Sequence, residues 1–436
     1  MNCRKGIELW NKAKRLFPGG SQLLSKRSEM FLPNQWPSYY EKAKGVEIWD
    51  FDGNKFTDMC IMGVGACTLG YADEDVNNAV KEVINKGSMA SLNCLEEIEL
   101  AELLLKLHPW ANSVRYARTG GESAAIAVRI ARAYSKKDVI AFCGYHGWHD
   151  WYLSSNLADN KNLDGHLIEG LEPNGVPRGL LKTALPFEYN NIDKLESIVN
   201  ENDVGVIVIE PMRHQEPKND FLKKARRIAD DIGAVLIFDE ISIGWRLNVG
   251  GAHLKLGVNP DIAVFAKAMS NGYPMGAILG KGEIMDAAQT SFISSTYWTE
   301  RVGPAAAIAT INKMLEKDVP AHLDMIGRLI GEGWKNLANK HKLNIEILPP
   351  NPLVTFIPKY DNIQEIKTLY TQEMLKRGYL AAFSVYVSYS HTEDIINKFL
   401  NTCDEVFGIL KKAIDQNAVL DYLDGPVAHS GFQRLT

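Results

Sequence analysis

Residues 260–276 read PDIAVFAKAMSNGYPMG, and the architecture of the chain can be worked out from this segment. The run Ile262–Phe265 is continuous, apolar and rich in β-branched and aromatic residues, which predicts a short buried strand. The strand ends at Ala266 and Lys267, and a turn containing Asn271 follows. Because ligands of open parallel α/β sheets bind beyond the carboxyl ends of the strands, Lys267 is expected at such a site. Partial burial would lower the pKa of its amine and favour attack on a carbonyl. The alternative is a lysine that extends into water.

Strand-like and helix-like segments alternate around this stretch from about residue 113 onward. Apolar strands are predicted at 139–142, 204–209, 235–238 and 262–265, with helical segments between several of them, for instance 221–231. This alternation predicts a mostly parallel sheet that is covered by helices on both faces.

The two ends of the chain have a different pattern. Before the sheet, the sequence predicts an amphipathic helix at 6–17, a β-hairpin at 45–58 and helices at 74–87 and 96–107. After an alanine-rich helix at 304–316, it predicts strands at 354–357 and 379–384 and helices at 363–376 and 393–412. We expect residues 1–60 and 326–436 to form a smaller α+β domain, and residues 61–325 to form the large domain.

Composition limits the classes of function. The 436 residues are 46% hydrophobic and 23% charged, which is typical of a globular protein, and the net charge of −5 gives no basic field for nucleic acid. No apolar run approaches the ~18 residues that span a bilayer, and the first residues lack a secretory apolar segment. The six cysteines form no C-x-x-C pair. A cytoplasmic protein with reduced thiols is expected.

Groups suited to an anion or a planar ring stand at two further positions. Gly120 and Gly121 precede a helix, where the free N–H groups of the first turn bind phosphate; an ordinary helix cap is the alternative. Tyr145 follows a predicted strand and suits stacking on a planar ring. His146 and His149 beside it form either a packed turn or a metal site. Metal is disfavoured because no cysteine or carboxylate stands at ligand spacing.

Asp239 follows the predicted strand 235–238. A buried aspartate is rare unless it is paired, and an ionised carboxylate that faces a heterocycle nitrogen keeps that nitrogen protonated. Metal binding and helix capping are the alternatives. Asp239, Lys267 and the glycines at 120 and 121 are together the parts that pyridoxal phosphate needs: a ring-nitrogen partner, a Schiff-base lysine and a phosphate site. The separation of about 28 residues between Asp239 and Lys267 fits one βαβ unit.

Eight segments resemble one enzyme family. They are FPGG (17–20), EIWDFDGNKFTDM (47–59), TGGESAAIAVRIAR (119–132), GYHGWHD (144–150), IEP (209–211), FDEISIGWR (238–246), PDIAVFAKAMSNGYPMGAILG (260–280) and SYSHTEDI (388–395). With these segments the chain resembles the class III pyridoxal-phosphate aminotransferases, and among them most the glutamate-1-semialdehyde 2,1-aminomutases. The resemblance implies the α/β fold of the type I pyridoxal-phosphate transferases. In that fold a large cofactor-binding domain with a mostly parallel seven-stranded sheet is joined by a smaller α+β domain from both termini.

The resemblance also implies roles for single residues around the cofactor ring. Lys267 would form the Schiff base and then move a proton between substrate and cofactor. Asp239 would hold the ring nitrogen in its protonated form. Tyr145 and Ile241 would cover opposite faces of the ring, with His146 also at the cofactor.

Further residues are implied at the phosphate and at the edge of the ring. Gly120 and Gly121 would bind the phosphate, and Thr296 of the partner subunit would reach it, which implies a homodimer with shared active sites. Glu210 matches an acidic position near the cofactor. Gln215 stands near the place where the aminomutases have an asparagine beside the pyridine oxygen.

The substrate region departs from the aminomutase pattern. That pattern has a serine and an arginine after FPGG, whereas this chain has Ser21 and Gln22, with Leu23 and Lys26 at the ungapped positions. An arginine is reached only at Arg27, one residue later. The substrate identity implied by the resemblance is therefore open, while the cofactor chemistry is unaffected.

Two later segments also depart from the family. Residues 381–390 contain no arginine that could bind a substrate carboxylate. After Thr296 the expected small-residue run is replaced by a segment with Trp298 and Arg301. These two residues either shape a substrate pocket, the interpretation we favour, or pack at a subunit interface. A sugar-derived or other hydroxylated acceptor would suit the side chains of Ser21, Gln22, Trp148 and Trp298.

The predicted function is a pyridoxal-phosphate-dependent aminotransferase that moves an amino group from an amino acid donor to an aldehyde or keto metabolite. The alternative is intramolecular transfer of the aminomutase type. A binding protein without turnover is disfavoured by the presence of both Lys267 and Asp239, and a dehydrogenase by the lack of an early G-x-G-x-x-G. The expected partners are a small-molecule donor, a carbonyl acceptor and a second copy of the chain. No nucleic acid, membrane or metal is expected.

Overall fold

The computed structural model describes residues 3–435 and contains two compact units. One unit consists of the chain up to Asp73 together with the chain from Ala321 onward, and the other consists of Glu74–Pro320. The boundaries expected from the sequence, after residues 60 and 325, and the assignment of cofactor binding to the middle segment stay predictions.

Strands and helices are numbered in chain order. The strands are β1 Tyr40–Lys44, β2 Glu47–Asp50, β3 Lys55–Met59, β4 Ser113–Ala117, β5 Val139–Cys143, β6 Ala184–Pro186, β7 Val204–Ile209, β8 Val235–Asp239, β9 Ile262–Phe265, β10 Gly276–Gly280, β11 Ile345–Leu348, β12 Thr355–Pro358 and β13 Tyr379–Ala381. The helices are α1 Arg4–Leu16, α2 Glu74–Asn85, α3 Leu95–Leu107, α4 Gly120–Ser135, α5 Asp150–Leu153, α6 Ile192–Glu201, α7 Phe221–Ile232, α8 Ala252–Leu256, α9 Gly282–Met285, α10 Val302–Lys317, α11 Val319–His341, α12 Ile363–Lys376 and α13 Glu393–Asp415.

The middle unit is built on a seven-stranded sheet in the order β4-β10-β9-β8-β7-β5-β6. The pairs from β9 through β6 are parallel, and β10 runs antiparallel to both of its neighbours. The mostly parallel seven-stranded sheet predicted for this part of the chain is therefore confirmed.

Both faces of this sheet are buried, which explains why its strands read as continuous apolar runs rather than alternating ones. Successive side chains of β7 point to opposite faces. Val206 and Val208 pack in one apolar cluster with helix α4, while Ile207 and Ile209 pack in a second cluster with α6 and α7. The sheet edge at the carboxyl ends of the strands is thus held rigidly between two cores.

The other unit joins the two ends of the chain. Its four-stranded sheet has the order β1-β2-β3-β13, with β1, β2 and β3 antiparallel and β13 parallel to β3. A separate antiparallel pair is formed by β11 and β12. Within residues 3–435, no helix has both the length and the apolar character required to cross a membrane.

Most predicted elements are present with small differences at their ends, but the predicted strand 379–384 is too long. Strand β13 ends at Ala381, because the chain then leaves β3 and pairs elsewhere. Ser384 forms an isolated bridge with Thr355, and the carbonyl of Phe383 accepts a hydrogen bond from the amide of Phe356.

Helix α4 begins with a complete capping box. The Thr119 hydroxyl accepts a hydrogen bond from the Glu122 amide at 3.4 Å, and the Glu122 carboxylate accepts one from the Thr119 amide at 3.0 Å. We expect Thr119→Ala to lower the free energy of unfolding by about 1 kcal/mol, because the cap hydroxyl is lost. Thermal unfolding measures this, with Thr119→Ser as the variant that keeps the hydroxyl. An alanine variant as stable as the wild type would contradict the prediction.

Candidate active site

Four neighbouring parallel strands, β5, β7, β8 and β9, present polar or aromatic groups at their carboxyl ends. Tyr145 follows β5, Glu210 follows β7, Asp239 ends β8 and Lys267 follows β9 by two residues. Since these strands are adjacent in the sheet, their ends share one edge, which is where open α/β sheets bind ligands. The structure therefore places four of the residues predicted from the sequence at one sheet edge.

Lys267 is held in a defined position there. It begins a short 3₁₀ helix, Lys267–Ser270, with a φ of 45°, in the left-handed region that is sparsely populated by residues other than glycine. Its Nζ donates a hydrogen bond of 2.8 Å to the Ser242 hydroxyl. Burial and, next, the positive charge of Arg213 lower the pKa of Lys267 to about 8. At pH 8 about half of these amines are unprotonated and able to act as nucleophiles.

Asp239 is buried with 3% of its surface exposed and is fixed by two hydrogen bonds. Its Oδ2 lies 2.8 Å from Nδ1 of His146, and its Oδ1 accepts a hydrogen bond of 3.0 Å from the amide of Ile241. A carboxylate only accepts hydrogen bonds, so Nδ1 of His146 carries the proton between them. These two donors hold the carboxylate of Asp239 in a fixed orientation.

Gly120 and Gly121 form the first turn of α4, where backbone amides have no partner within the helix. A Cβ on Gly120 would lie 3.0 Å from Cγ2 of Ile241, and one on Gly121 would lie 3.2 Å from the ring of His149. The backbone of Gly147 lies equally close to this turn, since a Cβ added to Gly147 would lie 3.2 Å from the Cα of Gly121. Side chains at Gly120 and Gly121 would therefore crowd Ile241 and His149, whereas glycine adds no side chain at this turn, where backbone amides can bind an anion.

Tyr145 and Ile241 both pack at the margin of the apolar cluster that includes α4. The ring of Tyr145 meets that of Tyr152 edge-on, with centroids 5.9 Å apart. The amide of Tyr145 donates a hydrogen bond of 2.9 Å to the carboxylate of Glu210. Glu210 thus links the loop after β5 to the end of β7.

A cavity of about 330 Å³ opens beside Glu210. Gln215, predicted from the sequence, lines it and accepts a hydrogen bond from Asn190 at 3.4 Å. Arg213 also lines it and pairs with Glu210 at 2.8 Å. Neither Arg213 nor Ser242 was identified from the sequence. The sequence offered one signal for each: Ser242 is a hydroxyl residue three positions after Asp239, and Arg213 is a cationic residue three positions after Glu210.

Trp148 and Trp298 line a different cavity, of about 620 Å³, together with Phe292 and the outer face of α4. Thr296 begins a short 3₁₀ helix nearby and is exposed. Arg301 lines neither of these two cavities and forms an ion pair with Glu96 at 2.6 Å.

Ser21, Gln22 and Arg27 lie in the unit formed by the two chain ends. Ser21 Oγ accepts a hydrogen bond from the amide of Leu23 at 3.2 Å, and Gln22 is exposed. Arg27 donates a hydrogen bond of 2.9 Å to the carbonyl of Gln433.

A family model described as aminotransferase class III matches residues 32–348. The chain is a class III aminotransferase. Among curated relatives of this aminotransferase, the 3-aminobutyryl-CoA aminotransferase of Cloacimonas acidaminovorans is 32% identical over 95% of this chain and 99% of its own length. The glutamate-1-semialdehyde 2,1-aminomutase of Ignicoccus hospitalis is 31% identical over 93% of this chain and 99% of its own length.

Solved structures show the same fold for this aminotransferase. The FumI protein of Sphingopyxis sp. MTA144, in a form containing PLP, superposes with a TM-score of 0.85 at 22% identity and covers 94% of this chain and 97% of its own. An omega-transaminase from Sphaerobacter thermophilus superposes with a TM-score of 0.83 at 23% identity, over 93% of this chain and 98% of its own. The predicted family, fold class, enzyme class and cofactor, pyridoxal 5'-phosphate, are confirmed.

Proposed function

We propose that this class III aminotransferase moves an amino group from an amino acid donor to an aldehyde or keto metabolite, with Lys267 as its nucleophile. The observation that carries the proposal is the environment of the Lys267 amine. It lies beyond β9, next to β8 and its terminal Asp239, with a lowered pKa and a hydroxyl partner at 2.8 Å. A lysine that extended into water would have neither feature.

The residues at this edge fit pyridoxal phosphate. The first turn of α4, at Gly120 and Gly121, would hold the phosphate, because the backbone amides of a first helical turn bind anions and these two residues add no side chain there. Asp239 would hold the ring nitrogen. Tyr145 and Ile241 would cover the ring, with His146 behind Asp239 as the donor that fixes its carboxylate.

When bound, pyridoxal phosphate supplies an electron sink for negative charge that develops at the carbon next to the amino group. The chain supplies the proton transfers and the positioning. The neutral amine of Lys267 accepts a proton and returns it at a neighbouring atom, while the Ser242 hydroxyl orients Nζ. The ionised carboxylate of Asp239 favours the protonated state of the group it faces.

Intramolecular transfer of the aminomutase type is the second candidate, favoured by the 31% identity to glutamate-1-semialdehyde 2,1-aminomutase. The two candidates differ in the need for a second substrate. The test is the visible absorbance of the purified holoenzyme during titration with single amino acids. Conversion of the aldehyde form to the amine form by one donor, with release of its keto acid, supports the aminotransferase. A holoenzyme that no amino acid converts contradicts it and favours the aminomutase.

The pKa of Lys267 predicts the pH dependence of cofactor loading by the apoprotein. Because the neutral amine is the nucleophile, the loading rate should rise about tenfold per pH unit below pH 8 and level off above it. An ordinary lysine, with a pKa of about 10.4, would give a rise that continues beyond pH 9. Stopped-flow absorbance at several pH values measures the rate. A continued rise through pH 9.5 would contradict the lowered pKa.

We also propose that the enzyme is a cytoplasmic homodimer in which Thr296 of each subunit reaches the phosphate of the other. Phe292 and Tyr297, beside Thr296, are 88% and 69% exposed, which is unusual for large apolar side chains unless a partner covers them. No disulfide joins the six cysteines in the part of the chain that the structure describes, as in a reducing compartment. Sedimentation velocity of the wild type and Phe292→Asp tests the dimer, with a monomeric wild type as the contrary result.

A further inference from the structure

Arg118 follows β4 directly and precedes the capping box of α4. Its Nε donates a hydrogen bond of 2.7 Å to Oε1 of Glu300, and its Nη2 donates to the carbonyls of Trp298 and Glu300 at 3.0 and 2.8 Å. Its Nη1 donates to the carbonyl of the preceding residue and to the sulfur of Met275. A guanidinium has five N–H groups, and here each of them has an acceptor. Arg118 therefore joins the end of β4 to residues 298–300.

Residues 296–300 are held from their inner side. They begin with the short 3₁₀ helix at Thr296. Trp298 packs against the apolar cluster that includes α4, whereas Thr296 and Tyr297 are exposed. The last carbonyls of a helix lack partners within it, and Nη2 of Arg118 supplies donors for two carbonyls here. The guanidinium thus fixes this segment from inside and leaves Thr296 at the surface.

The ion pair between Arg118 and Glu300 is shielded from water, since the two side chains are 9% and 18% exposed. The carboxylate of Glu300 also accepts hydrogen bonds from the amides of Val302 at 2.6 Å and Gly303 at 3.0 Å, in the first turn of α10. Removing one member of such a pair leaves the other charge buried without compensation. The place of residues 296–300 beside α4 and α10 therefore depends on Arg118.

A residue that binds a ligand is most effective when neighbouring groups hold it in the productive position. Thr296 has this need in the proposed homodimer, where it reaches the phosphate of the other subunit. We infer that Arg118 is a positioning residue that acts in trans: by fixing residues 296–300 it places Thr296 for the phosphate that the partner subunit binds. This inference rests on the proposed homodimer. The alternative is action in cis, through the turn at Gly120 that Arg118 precedes.

The first experiment measures the affinity of the apoprotein for pyridoxal phosphate by absorbance titration. Thr296→Val removes the hydroxyl but keeps the shape of the side chain, and Arg118→Met removes the guanidinium. Each substitution should raise the Kd about tenfold, because each costs one hydrogen bond to a charged group. The double variant should stay within twofold of Arg118→Met, since both substitutions remove the same contact.

Two further variants complete this series. Arg118→Lys keeps the charge but offers three N–H groups for five acceptors, so its Kd should lie between those of the wild type and Arg118→Met. Arg227→Met, at an exposed arginine in helix α7 of the same unit, is the matched control and should bind like the wild type.

The second experiment separates action in trans from action in cis with two heterodimers that carry the same pair of substitutions. In the first heterodimer, one subunit has Lys267→Ala and the other has Arg118→Met, so the remaining Lys267 faces a partner with an intact Arg118. In the second, both substitutions are in one subunit, and the remaining Lys267 faces that altered partner. Borohydride reduction and mass spectrometry measure cofactor attachment to Lys267. Attachment should need about the wild-type cofactor concentration in the first heterodimer and about tenfold more in the second.

Both heterodimers contain the same substitutions, so a general loss of folding affects them equally and does not produce this difference. Equal attachment in the two, weak attachment in the first heterodimer only, or additive effects of Thr296→Val and Arg118→Met would overturn the inference and leave the proposed amino transfer intact. A monomeric wild type would overturn it together with the homodimer. The expected difference in an enzyme that no amino acid converts would support the role of Arg118 and contradict the proposed transfer.

Discussion

Replacing Lys267 by alanine should lower kcat of the amino transfer by about 10⁴-fold or more, because one residue supplies both the nucleophile and the proton carrier. The side chain ends beside Ser242 and, within residues 3–435, forms no ion pair, so we expect little loss of stability. Steady-state turnover with the donor identified by absorbance measures the effect. Borohydride reduction followed by mass spectrometry should attach the cofactor to the wild type only.

Lys255→Ala is the matched control for this variant. Lys255 is an exposed lysine in α8 of the same unit, so its removal should leave turnover and cofactor attachment unchanged. A Lys267→Ala enzyme that retains more than about a hundredth of the wild-type rate would exclude Lys267 as the nucleophile.

Asp239→Asn should reduce kcat by about 10²–10³-fold, in line with the loss of one preorganised electrostatic partner. Asparagine has the shape of aspartate but not its charge, so it cannot hold the group it faces in the protonated form. The hydrogen bond to His146 also loses its ionic character. Rates of the donor half-reaction, followed by absorbance, measure the loss at matched cofactor occupancy.

The control for Asp239→Asn is Asp231→Asn, at an exposed carboxylate in helix α7. We expect wild-type rates there. If Asp239→Asn kept the wild-type rate with full cofactor occupancy, the proposed pairing of Asp239 with the ring nitrogen would be wrong.

The residues that follow the central strands could be predicted from the sequence because their position depends on local patterns. An apolar run that ends in a polar residue fixes both the strand and its carboxyl end, as at Asp239 and Lys267. Ser242 and Arg213 lie in irregular loops without a period, so no pattern predicts what they touch. Ser242 meets Lys267 because the chain turns sharply after β8. In that turn the amide of Gly244 donates a hydrogen bond to the carbonyl of Glu240.

The direction of β10 illustrates what local patterns leave open in the fold. GAILG at 276–280 reads as apolar strand in either direction. Its antiparallel pairing with β9 follows from the connection 266–275, since a parallel return needs a crossover of a dozen or more residues. The premature end of β13 depends on pairing across the unit formed by both chain ends, which sequence periodicity does not contain.

The parallel pairing of β3 with β13 has a consequence for synthesis on the ribosome. Thr57 of β3 pairs with Tyr379 of β13, which is synthesised about 320 residues later. At a translation rate of about 5–20 residues per second, the interval between the two strands is some tens of seconds. Residues 74–320, which form a compact unit, are synthesised in the meantime. The nascent chain therefore exposes an unpaired edge of β3 until translation is almost finished, and such an edge is a template for wrong pairing with other strands.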